Sequence, residues 1–136
     1  MNLKVCSYNC CSIKKNIDVV RDLASGDLDI IFLQETFLTA DSLSLLQFVD
    51  ENYHAIGVCA VQSESGVGRP MGGMACLFKK DSPFKVNLVS NNDNYMLIDV
   101  EFTDYVLSLI NVYFRSDLGD PSTHSNYLES IYSLEN

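Results

Sequence analysis

The chain opens with two patterns typical of β-strands, and a helical pattern lies between them. Residues 3–9 (LKVCSYN) alternate between apolar and polar, which is the period of a strand. Residues 29–34 (DIIFLQ) contain an unbroken apolar run, as in strands that are buried on both faces. One face of the intervening helix would be formed by Ile13, Ile17, Val20 and Leu23. Ser12 would cap this helix and Ser25-Gly26 would end it, so we predict a βαβ unit with parallel strands.

The next segment predicts a second amphipathic helix, which begins at Asp41. Its buried stripe would contain Leu43, Leu46 and Val49, with Phe48 beside them. Residues 54–62 have the pattern of a strand, whereas residues 63–73 (SESGVGRPMGG) form a Gly-rich loop with no core pattern.

The remainder of the chain predicts four more strands, at residues 74–80, 84–90, 95–102 and 105–114. The short polar connectors 92–94 and 103–104 are typical of antiparallel hairpins. Residues 122–134 predict a last helix. With 136 residues and no linker or repeat, we predict one domain with the architecture of an α/β sandwich and a mixed sheet.

Composition narrows the class of protein. The 47% hydrophobic residues can bury a core, and no apolar run approaches the roughly 18 residues that span a bilayer. The N-terminus lacks a signal-peptide layout, so we expect a nuclear or cytoplasmic location, without secretion or membrane contact. The five cysteines are odd in number and have no CxxC spacing, which favours reduced thiols over disulfides or zinc. The net charge of −9 argues against a general phosphate-binding surface, so any DNA contact must be local or rely on a metal.

Four polar features fall at predicted strand ends or loops, where sites form in layered α/β folds. These features are Asn9, Glu35, Gly72-Gly73 and Tyr113. A glutamate offers oxygen ligands suited to Mg²⁺, an amide can contact a phosphate, and a tyrosine can hydrogen-bond one. Each also has a structural alternative: a turn cap for Asn9, a solvated strand end for Glu35, a rim position for Tyr113 and a positive-φ turn for the glycines. No GxxxxGK[ST] or GxGxxG motif is present, so a nucleotide cofactor is not expected.

Four segments occur in a characteristic order: SYNCCSI at 7–13, DIIFLQETFL at 29–38, GRPMGGMACLFKK at 68–80 and LINVYFRSD at 109–117. Together they resemble the endonuclease/exonuclease/phosphatase (DNase I-like) superfamily, and most of all the apurinic-type endonuclease domain of non-LTR (LINE-type) retrotransposons. The resemblance implies a two-sheet α/β sandwich in which residues 1–136 are the N-terminal portion of one domain. It implies Mg²⁺-dependent hydrolysis of DNA phosphodiester bonds, with Mn²⁺ as an alternative ion.

The resemblance also assigns roles to residues. Glu35 would bind the metal, Asn9 would help to position the site, and Tyr113 would be the active-site tyrosine. Arg115 and Ser116 stand where many members have a Pro-Asn pair, and they would contact the substrate phosphate. The later GDFN-like and Asp-His motifs of the family do not occur, so we expect the fold to be truncated on its C-terminal side. His124 follows Ser122-Thr123 at a predicted helix start and is not interpreted as the missing base.

Two further consequences are expected. The chain in this form would be inactive, and it would expose an unpaired sheet edge through which it could self-associate. One alternative function is therefore a degenerate, non-catalytic fragment that acts as a binding module. Another is a phosphatase or sphingomyelinase of the same fold, which the GRPMGG segment disfavours.

Overall fold

The fold is seen in a computed structural model, which describes residues 2–62, 66 and 68–114. These residues form seven strands, one α-helix and one 3-10 helix. In chain order the elements are β1 (Val5–Asn9), α1 (Ile17–Ala24), β2 (Ile30–Gln34), the 3-10 helix (Leu43–Phe48), β3 (Tyr53–Val58), β4 (Met74–Lys79), β5 (Lys85–Asn91), β6 (Tyr95–Glu101) and β7 (Val106–Val112).

The first sheet has the strand order β1-β2-β4-β3. Strands β1 and β2 run parallel and are joined by α1, which confirms the predicted βαβ unit. Strand β4 pairs antiparallel with both β2 and β3, so the sheet is mixed as predicted. Asn9 is paired with Gln34 at the carboxyl ends of the parallel strands. The polypeptide that follows each strand therefore leaves the sheet at the same edge.

The second sheet consists of β5, β6 and β7 in an antiparallel meander. Short connectors join its strands at the two predicted positions, 92–94 and 103–104. The register shifts between Leu88 and Ser90, which marks a bulge in β5. The carboxyl end of β7 is paired with Tyr95 at the start of β6.

The two sheets pack face to face, and α1 lies on the outer face of the first sheet. Strand β2 shows this arrangement in its side chains. Ile31 and Leu33 belong to the core shared with α1, whereas Ile30 and Phe32 belong to the core between the sheets. All five residues of β2 are buried. The unbroken apolar run is therefore explained by burial on both faces, and the two-sheet α/β sandwich is confirmed.

Helix α1 begins at Ile17, so the predicted start after Ser12 is wrong. Cys11 and Ser12 have positive φ values of 44° and 83°, which a helix cannot accommodate. The amides of Ser12 and Ile13 donate to the carbonyls of Glu35 and Thr36 instead of starting a helix. These hydrogen bonds hold the segment after β1 against the segment after β2.

The second predicted helix is a 3-10 helix of six residues. Leu43, Leu46 and Val49 recur every three residues, and in a 3-10 helix that spacing places side chains on one face. Leu46 and Val49 are buried, as predicted, but Phe48 lies off this face and is 77% exposed. The expectation that Phe48 joins the core is wrong. Strand β3 is also shorter than predicted, because it ends at Val58 and only an isolated bridge from Val61 to Met71 follows.

The predicted helix at 122–134, together with His124, lies outside the described residues. Within residues that are described, no helix has the length and apolar character to cross a membrane. All five cysteines are free thiols, and Cys10 and Cys76 are buried as small apolar side chains. Burial raises the pKa of each of these two thiols to about 12.

Candidate active site

Glu35 is the first residue after β2, where the chain turns sharply out of the sheet. Its φ of 55° lies in the left-handed region, which is unfavourable for a residue with a side chain. Two neighbouring segments stabilise this conformation. The Glu35 carbonyl accepts the amide of Ser12 at 2.8 Å, and the next amide, of Thr36, donates to Gly73 at 3.2 Å. Backbone strain of this kind is found at functional sites, where the surrounding contacts hold it in place.

The Gly72-Gly73 pair supports this turn through its backbone. Its carbonyls accept the amides of Phe37 and Thr36, and both glycines have positive φ. A Cβ atom on Gly73 would lie 2.5 Å from Oγ1 of Thr36, a separation that atoms do not tolerate. The glycine pair therefore forms a positive-φ turn, which is its structural alternative to a phosphate-binding role. It holds the segment that carries Glu35.

Tyr113 reaches Glu35 from the second sheet. It follows β7, and its hydroxyl donates a hydrogen bond of 2.6 Å to Oε1 of Glu35. Its backbone amide donates to the carbonyl of Asn94 at 2.8 Å, which anchors the residue to the β5–β6 connector. The Tyr113 ring lies over Gly72, where an added Cβ would be 3.6 Å from the ring. Two of the residues predicted for the site thus meet, although 78 positions separate them.

Asn9 lies at the same edge of the first sheet, at the end of β1. Its Oδ1 accepts the amide of Cys11 at 3.1 Å, so the side chain caps the turn that follows the strand. Asn9 therefore has the turn-capping role that is the structural alternative to a role in the site. The side chain is exposed, which leaves its amide accessible from the site edge. Arg115 and Ser116, the remaining predicted site residues, lie outside the described part of the chain.

A buried polar network behind Glu35 was not predicted. Asn111 is 2% exposed, and its Nδ2 donates to the carbonyls of Leu33 and Ala75 in the first sheet. Its Oδ1 accepts Nε2 of Gln34 at 2.7 Å, and the same nitrogen donates to Oγ of Ser7 at 2.9 Å. Asn111 therefore joins β7 to β2 and β4, two residues before Tyr113. The sequence did contain a signal for this network, because Asn111 is a polar residue within the apolar segment LINV at 109–112.

The donor atoms at this edge suit a hard cation. Glu35 contributes a carboxylate whose Oε1 is oriented by Tyr113, and Asn9 lies on the neighbouring strand end, paired with the residue before Glu35. Mg²⁺ is commonly bound through one or two carboxylates and retains several waters, so these residues fit such an ion. Among the described residues, no group of three or more acidic, histidine or cysteine side chains forms a metal cluster. The fit therefore depends on one carboxylate and on water ligands.

A groove of about 640 Å³ lies next to the segments that flank Glu35, and we call it the site groove. It begins beside Glu35, at Cys11 and Phe37, and carries three basic side chains, Lys14, Lys15 and Arg69. The guanidinium of Arg69 lies 4.4 Å from the centre of the Phe37 ring, a cation–π contact that holds the charge at the rim. A local basic surface is therefore present in a chain of strongly negative net charge.

Solved structures of similar fold include several nucleases and a phosphatase. An AP endonuclease from Leishmania major has a TM-score of 0.68 and 16% sequence identity. The match covers 92% of this chain and 44% of the Leishmania chain. A 3′ phosphatase from Neisseria bound to a product DNA hairpin has a TM-score of 0.63 and 19% identity, covering 98% and 50%. The endonuclease domain of TRAS1, a telomere-specific non-LTR retrotransposon, has a TM-score of 0.60 and 10% identity, covering 95% and 53%. The chain thus spans about half the length of the structures it resembles.

No curated protein matches the chain in sequence. A protein-family profile does match, described as the Endonuclease/Exonuclease/phosphatase family, and the match extends over residues 6–133. This range covers nearly the whole chain and includes the segments around Asn9, Glu35 and Tyr113 that carried the resemblance. Members of this family are in general hydrolases that depend on a divalent metal. The chain belongs to the Endonuclease/Exonuclease/phosphatase family.

Proposed function

We propose that the chain is a Mg²⁺-dependent DNA endonuclease domain that serves retrotransposition by nicking phosphodiester bonds. The observation that carries this proposal is the 2.6 Å contact between Tyr113 and Glu35 at the edge of the sheets. The basic site groove beside it supports DNA as the substrate. The GRPMGG segment and the similarity to the TRAS1 domain support the retroelement assignment.

The roles proposed for the side chains follow from their positions. Glu35 would hold the ion through its carboxylate, and the Tyr113 hydroxyl would keep that carboxylate in one orientation. Asn9 would contact a non-bridging phosphate oxygen with its amide. Arg115 and Ser116 would contact a neighbouring phosphate. A bound divalent cation supplies Lewis-acid polarisation of the phosphate and stabilises the developing charge.

Hydrolysis also needs a group that accepts a proton from the attacking water. Among the described residues, no group of three or more acidic, histidine or cysteine side chains surrounds a metal position at Glu35. We therefore propose that the 136-residue chain binds metal and DNA by itself but leaves DNA uncut. Manganese, which replaces Mg²⁺ in many oxygen-ligand sites, would serve as the spectroscopic probe.

Metal binding tests the proposal. Mn²⁺ bound to the chain would be measured by electron paramagnetic resonance for the unchanged protein, Glu35→Gln and the control Glu101→Gln. Glu101 is exposed at the end of β6, so its neutralisation leaves the site intact. We expect the affinity for one Mn²⁺ to fall at least tenfold in Glu35→Gln and to stay unchanged in Glu101→Gln. Equal binding by all three proteins would overturn the assignment of Glu35 as the ligand.

Cleavage is tested separately with supercoiled plasmid and Mg²⁺. We expect the unchanged chain and Glu35→Ala to give the same background of nicked circles. Nicking that is lost in Glu35→Ala would show that the chain is active in this form and would overturn the proposal of inactivity.

A second candidate function is that of a binding module, and the edge of the second sheet favours it. Strand β7 is paired only with β6 among the described strands, and its Val106 and Ile110 side chains are exposed. An edge strand of this kind pairs readily with another chain. Sedimentation velocity of the unchanged chain and of Ile110→Lys tests it: concentration-dependent association that the lysine abolishes supports the module, and a monomer in both cases contradicts self-association.

A further inference from the structure

A second groove continues from the site groove, between α1 and the 3-10 helix, and we call it the helix groove. It encloses about 570 Å³. Its apolar lining consists of Ile17, Leu45 and Phe48, and its basic side chains are Lys14 and Arg21. Lys14 and Ser42 line both grooves, so the two are continuous along one face of the molecule.

The charge along this face is opposite to that of the chain as a whole. Four of the nine basic residues of the chain, Lys14, Lys15, Arg21 and Arg69, line the two grooves. None of the described acidic residues lines either of them, although the chain has eighteen acidic residues in all. Two connected grooves with basic and no acidic lining residues are complementary to a polyanion, even on such an acidic protein.

Two hydrogen bonds hold the guanidinium of Arg21 in the helix groove. Its Nε donates to the carbonyl of Val49 at 3.0 Å, and its Nη2 donates to that of Phe48 at 3.3 Å. A guanidinium has five N–H donors, so these bonds leave others for an anion. The same bonds fix the end of the 3-10 helix, and with it the position of Phe48.

The aromatic side chain of Phe48 is not explained by burial in the core. Its side chain is 77% exposed and lines the basic helix groove. An exposed aromatic ring beside backbone-binding cations is the arrangement by which proteins bind unpaired nucleotides, since a base can stack on the ring.

We propose that the helix groove binds single-stranded nucleic acid, with a base stacked on Phe48 and the adjoining phosphates near Arg21 and Lys14. The strand would run on through the site groove toward Glu35. This inference deepens the proposed function, on which it rests, by assigning a path and an unpaired stretch to the substrate beyond the cleavage site.

The chain contains no tryptophan, which allows a direct test. Phe48→Trp introduces a single fluorophore in the helix groove, and Val89→Trp introduces one on β5, where Val89 is 53% exposed in the other sheet. Both proteins would be titrated with a labelled deoxythymidine 12-mer in EDTA, so that cleavage and metal binding do not contribute. We expect saturable quenching of the tryptophan in Phe48→Trp and none in Val89→Trp.

Binding measured by fluorescence anisotropy gives the second readout. We expect Phe48→Ala to bind the 12-mer about tenfold more weakly than the unchanged chain, and Phe48→Tyr to bind it equally well. Lys85→Ser serves as the control for charge, because Lys79, Lys80 and Lys85 line a separate basic cavity at the opposite end of β4. An effect of Lys85→Ser larger than that of Arg21→Ser would place the strand in that cavity and overturn the proposal.

Other outcomes are equally decisive. An unquenched Phe48→Trp protein that still binds the 12-mer would reject stacking, and equal quenching by a blunt duplex would reject the requirement for unpaired bases. A response to an acidic helical peptide without a response to the 12-mer would make the groove a protein-binding surface. None of these results affects the assignment of Glu35, which the Mn²⁺ experiment decides independently.

Discussion

The hydroxyl of Tyr113 donates a 2.6 Å hydrogen bond to Oε1 of Glu35, and this bond joins residues that follow strands of different sheets. We expect Tyr113→Phe to lower the free energy of unfolding by about 1–2 kcal/mol, since a hydrogen bond to a charged acceptor is lost. Urea denaturation measures the change. A double-mutant cycle with Glu35→Gln should give a coupling energy of about 1 kcal/mol.

Tyr105→Phe is the control for this change, because Tyr105 is an exposed tyrosine in the connector between β6 and β7 whose ring stacks on Phe102. It should leave stability within about 0.5 kcal/mol. A coupling energy near zero between positions 35 and 113 would mean that the bond does not persist in solution.

Asn111 should be among the most sensitive polar positions of the chain. Asn111→Ala removes the donor to two buried carbonyls, of Leu33 and Ala75, and the acceptor for Gln34. Because each buried group left without a partner costs about 1–3 kcal/mol, we expect a loss of at least 3 kcal/mol in urea denaturation. Asn87→Ala, at an exposed position of β5, should change stability by less than about 0.5 kcal/mol. Similar small effects at both positions would contradict the network.

Gly73→Ala should be more disruptive than Gly68→Ala, although both glycines have positive φ. The values are 86° and 94°, so the conformational penalty of an alanine is similar, about 1–2 kcal/mol. Only at Gly73 does the added Cβ meet other atoms, with Oγ1 of Thr36 at 2.5 Å; at Gly68 nothing lies within 4 Å. We expect thermal unfolding to show a loss at Gly73 that exceeds the loss at Gly68 by about 1–3 kcal/mol. Equal losses of stability in the two variants would show that the Thr36 side chain moves away from the added Cβ without a free-energy penalty.

Stability should decline above pH 9. Burial raises the pKa of Cys10 and Cys76 from the ordinary value of 9.0 to about 12, so the native state keeps both thiols protonated. Between these values the unfolded chain releases protons that the native chain retains. The free energy of unfolding should therefore fall by about 1 kcal/mol per pH unit for each thiol. Urea denaturation at a series of alkaline pH values measures the slope.

Reaction with a thiol reagent provides the check on that prediction. The exposed thiol of Cys11 should react in the native protein, whereas Cys10 and Cys76 should do so only on unfolding. Five thiols that react at one rate in the native state would contradict the burial of these two.

The sequence predicted those parts of the fold that depend on local pattern. The continuous apolar run of β2 fixed a strand with two buried faces, and Glu35 at its end was correctly expected at the edge of the sheet. Only the family resemblance assigned Glu35 and Tyr113 to one site, because no local pattern relates positions so far apart. The hydrogen bond between Gln34 and Asn111 was missed for the same reason.

The start of α1 and the nature of the second helix were predicted less well. Helical periodicity at Ile13 suggested an early start, but the amides of Ser12 and Ile13 are bonded to the loop after β2. The three-residue spacing of Leu43, Leu46 and Val49 fits an α-helix and a 3-10 helix almost equally, so the pattern did not decide between them. In both cases tertiary contacts determined the outcome.

The separation of 78 positions between Glu35 and Tyr113 has a consequence for the order of events during synthesis. On the ribosome the N-terminal end emerges first, and Glu35 leaves the exit tunnel long before its partner exists. The backbone hydrogen bond from Thr36 to Gly73 can form only after the segment before β4 has been synthesised. The side-chain hydrogen bond to Glu35 can form only after β7 and Tyr113 have been synthesised. Closing so long a loop is an entropic cost that local contacts cannot offset early. The nascent chain therefore completes this site only when the second sheet docks.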